Sequence, residues 1–511
     1  MNSTATLEKL DRYIRARYPI VAICSFEESR VLDAIDTIAT KRGRIISTWT
    51  ITTGLQNLSG TEPDNTRDPV AALDVISDYA PDADPVLFVL KDLHNLTNDP
   101  VIVRYLRDIA AKFETSRHTL ILLSPVFQVP ADLEKTIAIL DWPLPDVDEL
   151  AAILKKCEQE LPERIHVTLN GNREKVIQAM RGLTAFESSS VLLAAIAATG
   201  EMGESVIPHI IGEKRQIIRK SGVLEFYDAD VNFNQVGGLE NLKHYAEVKR
   251  HAFSKEAAAF GVDAPKGVLL VGIPGTGKSL SAKAIAGGQM PLLRMDIGAL
   301  MGSLVGQSEA NMRSALKVAE AIAPCVLWVD EIEKALGGIG GSESDGGTSM
   351  RVFGTLLTWM QETTAPVYVV ATANDVRSLK PELLRRFDDI FWVDLPGLKD
   401  REEILSVHLT RRNQVTAGFD LEAISKATWG MTGAEIEKVV KTALEAAFFE
   451  GKSLTNTHLL RASSQIVPIM QTMGEKINEL RSWSNGRAHE AGAPLDPKPE
   501  YAAKVDRTKD L

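Results

Sequence analysis

The sequence is poor in three things that would have narrowed its class at once. It has 3 cysteines in 511 residues, Cys24, Cys157 and Cys325, too scattered to form a disulfide framework or a metal-ligand set. It has no apolar run near the roughly 18 residues of a membrane-spanning helix, and its opening stretch, Met1 to Pro19, lacks the apolar core of a secretory signal. It has no basic excess: 57 Lys plus Arg stand against 68 Asp plus Glu, a formal net charge of −11. A general nucleic-acid coater would carry the opposite balance, so nucleic acid is not an expected partner. With 44% apolar and 24% charged residues, the composition predicts a soluble globular protein, expected in the cytoplasm. At roughly 150 residues per domain the length predicts three or four structural units.

One stretch carries chemistry. Val268 to Val271 is an unbroken apolar run, the pattern of a buried parallel strand. Directly after it, Gly272-Ile273-Pro274-Gly275-Thr276-Gly277-Lys278-Ser279 fits a phosphate-binding loop, and the residues from Leu280 on read as a helix. Glycines let the backbone wrap a phosphate. The amide N–H groups and the helix N-terminus supply positive potential, and Lys278 adds a full charge. Ser279 offers a hydroxyl to a magnesium ion bridging the phosphates of ATP.

Three further signals fit the same chemistry. The apolar run Cys325 to Val329 ends in Asp330-Glu331; the first carboxylate suits magnesium and the second can polarise an attacking water. The run from Val367 ends in Asn374, and parallel strands bring their C-terminal ends to one edge, so Asn374 is expected beside the carboxylates. Arg385 and Arg386 follow, either as surface ion-pair donors or as a finger reaching a neighbouring subunit's nucleotide.

This constellation resembles the AAA ATPases, in particular the ring-forming remodelling clade, over roughly residues 231–450. Phe233 to Leu239, with Gly237, resembles the motif that packs beside the adenine. Gly272 to Ser279 matches the Walker A loop, Asp330-Glu331 the Walker B pair and Asn374 sensor 1. Arg386 matches the arginine finger, with Arg385 as second candidate. His408 resembles the lid-helix histidine that borders base and ribose, and Gly433-Ala434 the sensor 2 segment. Across the whole chain the likeness is greatest to the hypothetical chloroplast open reading frame AAA proteins of plastids, cyanobacteria and other bacteria. A plastid-encoded member would reside in the stroma.

The resemblance also has departures. Leu304 stands where substrate-threading members carry a pore-loop aromatic, and Asn234 and Gln235 replace an acidic pair. The segment before Phe387 is shorter than the usual double-arginine arrangement. The stretch Gly337 to Gly347 resembles a second pore loop, or is a plain connector.

The first 200 residues repeat the element order without the chemistry. Ile20–Cys24, Ile45–Ile51, Val86–Leu90, Thr119–Leu123 and Ile137–Leu140 read as strands, echoing Val268–Val271, Leu292–Ile297, Val326–Val329, Tyr368–Ala371 and Ile390–Val393. At the phosphate-loop position stands Ser25-Phe-Glu-Glu-Ser-Arg30, with no glycine and no lysine. Asp92 ends a strand where a metal ligand could stand, or is simply solvated. The stretch is a degenerate AAA-like module or an unrelated α/β domain.

The expected fold is therefore α/β: a P-loop AAA ATPase module with a helical lid, preceded by a degenerate AAA-like α/β module. Expected boundaries are 1–200 for the silent module, 201–232 for a linker helix, 233–395 for the core, 396–475 for the lid, and 476–511 for a helix with a disordered tail beyond Trp483. The expected activity is ATP hydrolysis in a hexameric homo-oligomer acting on a protein client or adaptor. The alternative is a nucleotide-gated switch or scaffold that recruits its partner through the first module.

Overall fold

Ten apolar runs become strands, and in the computed structural model they assemble into two parallel sheets built to one plan. It describes residues 3–56, 65–127, 129–162, 165–169, 171–220, 222–227, 231–287, 290–301, 307–335, 346–376, 379 and 381–497. The chain divides into two compact units, 1–214 and 215–511. The helix expected within 201–232 spans Val206–Lys220.

In the first unit the strands are β1 (Ile20–Cys24), β2 (Ile45–Thr50), β3 (Val86–Lys91), β4 (Thr119–Ser124) and β5 (Ile137–Asp141). Their order across the sheet is β2-β3-β4-β1-β5, with Gly54–Gln56 paired antiparallel on the outer side of β2. In the second unit they are β6 (Gly267–Gly272), β7 (Leu292–Met295), β8 (Cys325–Val329), β9 (Val367–Ala373) and β10 (Asp389–Val393). Their order is β7-β8-β9-β6-β10. Numbered within its own unit, each sheet runs 2-3-4-1-5. This shared order decides between the two readings of the first unit, because chance alternation of strands and helices does not fix a spatial order. The first unit is an AAA-like module.

Both sheets are sandwiched between helices, so their central strands are apolar on both faces. All six residues of β6 and all seven of β9 are buried. One face of the second sheet packs Leu269, Leu327, Val369 and Trp392 against helices that include Gln307–Ile322 and Gly346–Glu362. The other packs Val268, Leu270, Trp328 and Tyr368 against Leu242, Ala246 and Ile285. The lid is a small helical cluster with its own core of Leu405, Leu409, Ile436, Val439 and Leu459. Its longest helix, Gly433–Phe449, starts in a capping box in which Thr432 and Glu435 satisfy each other's backbone N–H groups.

The polar tail expected beyond Trp483 is docked as far as Asp496. His489–Glu490 adds a parallel strand to the edge of β10, Ala491 is fully buried, and the Ala491 N–H donates to Trp392 O at 2.9 Å. Asp496 reaches the lid, where it accepts two bonds from Arg401 at 2.8 and 3.2 Å. Composition gives little sign of this, because backbone pairing and polar contacts such as Arg401–Asp496 and Trp429 Nε1 to Asp496 O hold the segment, with only small apolar additions such as Ala491. Residues 498–511 lie outside the described residues.

Candidate functional site

The turn after β6 is built for an anion. Gly275 and Gly277 sit at φ +82° and +97°, left-handed values that side-chain-bearing residues seldom take, which lets successive N–H groups face one concavity. Gly277 caps the helix Lys278–Ala286, whose N-terminus adds positive potential. Thr276 donates its hydroxyl to Ile273 O at 2.8 Å, pinning the loop. Lys278 is 6% exposed, and its Nζ donates to the carbonyls of Gly272 and Ile273 at 2.9 and 2.7 Å. Burial of the ammonium lowers its pKa from 10.5 to about 8, against the opposing pull of Glu333, Asp330 and Glu331. Pro274 is exposed at the loop's tip, and Leu280 packs into the core behind it.

The carboxylates meet this loop because β8 lies two strands from β6, with β9 between them. Ser279 Oγ donates to Asp330 Oδ1 at 3.0 Å. Asn374 Nδ2 donates to Glu331 Oε1 at 3.1 Å, while Lys334 pairs with the other oxygen of Glu331. Ser279, Asp330, Glu331 and Asn374, picked from three separate places in the sequence, thus form two bonded pairs that Thr372 joins into one cluster. A hydroxyl and a carboxylate oxygen 3.0 Å apart are hard donors of the kind magnesium takes.

A cleft beside the loop is lined by Gly237, Thr276, Pro396, Ile404, Glu490 and Gly492, among others. The lid closes one side: Ala434 N–H donates to Gly275 O at 3.1 Å, and Gly433 stands next to it in the same helix start. Gly237 lies so close to Ile404 that a Cβ there would sit 2.6 Å from its backbone nitrogen. His408 sits further along the helix Leu398–Thr410, half-buried beside Arg412, and burial lowers its pKa.

Arg385 and Arg386 occupy the turn between Pro381–Leu384 and β10, the first exposed and the second half-buried. Among the described residues, neither joins the carboxylate cluster. Leu304 and the glycine-rich stretch 337–345 lie outside the described residues.

Comparison with known proteins gives a consistent family. Residues 268–395 match the profile described as "ATPase family associated with various cellular activities (AAA)", and 418–460 match the AAA+ lid domain. Residues 6–142 and 148–221 match the N-terminal and second domains of SpoVK-like AAA ATPases. The chain is 37% identical over 481 residues to the uncharacterized AAA domain-containing protein ycf46 of Guillardia theta, covering 92% of this chain and 93% of the relative. Against the ycf46 protein of Pyropia yezoensis it is 37% identical over 498 residues, 96% of this chain and 99% of the relative. The chain belongs to the AAA ATPase family. It also resembles the proteasome-activating nucleotidase of Aeropyrum pernix, 32% identical over 305 residues, 56% of this chain and 72% of that one.

The AAA-like first unit fills its own phosphate position with side chains. Between β1 and the helix Glu28–Arg42 the connection is only Ser25-Phe26-Glu27. Glu27 Oε1 accepts the Ala185 N–H at 2.5 Å, at the start of the helix Ala185–Thr199. In the second unit the start of the corresponding helix, Gly433–Phe449, is met instead by backbone: Gly275 O accepts the N–H of its second residue, Ala434. Arg30 binds Glu27 at 2.5 Å and Glu149 at 2.7 Å, and donates to Pro143 O at 2.7 Å. Lys91 ends β3 where Asp330 follows β8, and pairs at 3.0 Å with Glu28, the first helical residue as Lys278 is. The two charges are exchanged. Asp92 stands where Glu331 stands and points mostly to solvent.

Three residues of the second unit's site were not foreseen. Thr372 bridges the two carboxylate residues, Glu333 Oε1 accepts the Asn374 N–H at 2.9 Å, and Glu490 lines the cleft. Thr372 is the polar member of an otherwise apolar run, a signal that was there to read.

Proposed function

We propose that this ATPase hydrolyses ATP to ADP and phosphate through the cluster at the edge of the second sheet, with magnesium, in a hexameric ring that remodels a protein partner. The observation that carries the reading is the joining of Ser279, Asp330, Glu331 and Asn374 beside a phosphate loop whose lysine is already buried. Lys278 would hold the β- and γ-phosphates in place of its two carbonyl partners. Ser279 and Asp330 would hold the magnesium ion, which neutralises charge developing on the phosphate oxygens. Glu331 would take a proton from the attacking water, and Asn374 would orient both. Arg386, or Arg385, would arrive from the next subunit. Gly237, Thr276 and the lid residues Gly433 and Ala434 flank the cleft that suits the base, with His408 further along the lid helix.

The relative from Aeropyrum pernix is named for activating a proteasome; coupling of the cycle to a protein client is carried from there as a proposal only. The cytoplasm, or the stroma for a plastid-encoded chain, is the compartment in keeping with the relatives. Among the described residues no helix is long and apolar enough to cross a membrane.

A nucleotide-gated switch is the second reading. It is favoured by the first unit, which keeps an AAA-like fold while its own side chains fill the phosphate position. Sedimentation of Glu331→Gln with and without ATP and magnesium separates the two. An ATP-dependent hexamer is expected; a monomer under both conditions would leave the arginines without a neighbour and put the switch first. Leu304→Ala should then cripple a threading ring and leave a switch nearly intact.

A further inference from the structure

We propose that Thr372 is a positioning residue for ATP hydrolysis, clamping Asp330 and Glu331 in the one arrangement that serves both metal and water. The inference rests on the catalytic reading of those two carboxylates. Thr372 is 1% exposed near the C-terminal end of β9. Val329 pairs with Ala371, so the next residues on each strand, Asp330 and Thr372, emerge side by side. The single hydroxyl then works in two directions. It donates to Asp330 Oδ1 at 2.6 Å and accepts the Glu331 N–H at 3.0 Å.

Both bonds matter for the geometry. Glu331 has φ +50°, a left-handed backbone that a residue with a side chain adopts only when its surroundings impose it. That bend turns the chain out of β8 and sends the Glu331 carboxylate to Asn374. Asp330 Oδ1 meanwhile takes bonds from both Ser279 and Thr372, which fixes the plane of the carboxylate and directs Oδ2 elsewhere. A hydroxyl that holds one carboxylate by its side chain and the next by its backbone sets their mutual orientation.

The first unit shows that the fold itself does not require this hydroxyl. There Asp92, with φ +57°, makes the same bend after β3. Lys91 pairs with Leu123, so Leu123 occupies the register of Thr372. The Asp92 N–H donates to the Leu123 carbonyl at 2.9 Å. An aliphatic side chain therefore suffices to build the turn. The hydroxyl is present only in the copy that carries the catalytic carboxylates.

The test uses the full chain with Thr372→Val, Thr372→Ala and Thr372→Ser beside Glu331→Gln. Thr372→Val should lower kcat about ten- to a hundredfold, the scale of a sub-ångström to 1 Å misplacement, and raise the magnesium concentration at half-maximal rate. Binding of a fluorescent ATP analogue in EDTA should stay within about twofold, since the hydroxyl touches no part of the phosphate loop. Thr372→Ser should restore the rate, and Thr372→Ala, which cannot overpack, should behave as valine does. A wild-type kcat and magnesium dependence in the valine or alanine variant, with Glu331→Gln inactive, would overturn this proposal alone. Full turnover in Glu331→Gln would instead remove the catalytic reading beneath it. Equal loss in the serine variant would show a packing role and overturn the clamp.

Discussion

Replacing Asp496 by alanine should destabilise the second unit by a predictable amount. Arg401 is fully buried; its Nε donates to Ser425 O at 2.9 Å and its Nη1 to Pro396 O at 2.8 Å. The remaining donors meet Asp496 at 2.8 and 3.2 Å. Removing the carboxylate leaves a guanidinium in the interior without its counter-charge. Breaking such a pair costs about 3–5 kcal/mol when both groups are buried. Asp496 is 26% exposed, so water recovers part of this, and about 2–3 kcal/mol is expected. For a unit of this size that lowers Tm by roughly 3–5 °C. Differential scanning calorimetry of the full chain reads it, the transition of the second unit being the one that ATP shifts upward. The double substitution Arg401→Met with Asp496→Leu should regain only part of the loss, because it removes the buried charge but also the donors to Ser425 O and Pro396 O. A transition within about 1 °C of wild type in Asp496→Ala would refute the reasoning: the segment beyond Trp483 would then be ornamental.

Two further outcomes follow from the loop and the first unit. Burial places the Lys278 pKa at about 8 in the nucleotide-free chain, and only the charged lysine attracts phosphate. ATP affinity should be flat below pH 8 and fall by up to about tenfold per unit above it, with proton uptake on binding; calorimetric titration in buffers of different ionisation enthalpy checks both. Lys278→Ala should abolish ATP binding to the full chain, because Glu27 and Arg30 fill the first unit's phosphate position. Residual micromolar binding in that variant would show that the first unit takes nucleotide after all.

Much of this architecture is legible in the sequence. The ten strands named above fall at the apolar strand candidates, and the central ones, such as Val86–Lys91 and Cys325–Val329, are nearly continuous apolar runs because helices cover both faces. The loop at 272–279 and the carboxylates at 330 and 331 were legible as well, since their chemistry demands specific residues at short spacing. Strand order was not, because it depends on contacts between distant segments. Nor was the docking of 485–497, where Arg401 meets a partner 95 residues away. One hint existed: a cation in the first turn of a helix runs against the helix dipole, which suggests that something else holds it. Thr372 was passed over because a β-branched residue inside a strand needs no further explanation. Glu27 gave no sign of its bond to Ala185, since that contact joins positions 158 residues apart.

The most direct test of the account is a paired measurement on Glu331→Gln: ATP binding by filtration and phosphate release at saturating ATP and magnesium. The account predicts affinity within about threefold of wild type and phosphate release lowered by at least about a hundredfold, the scale of losing a general base. Phosphate release at the wild-type rate would contradict it and take Glu331, and the cluster built around it, out of the mechanism.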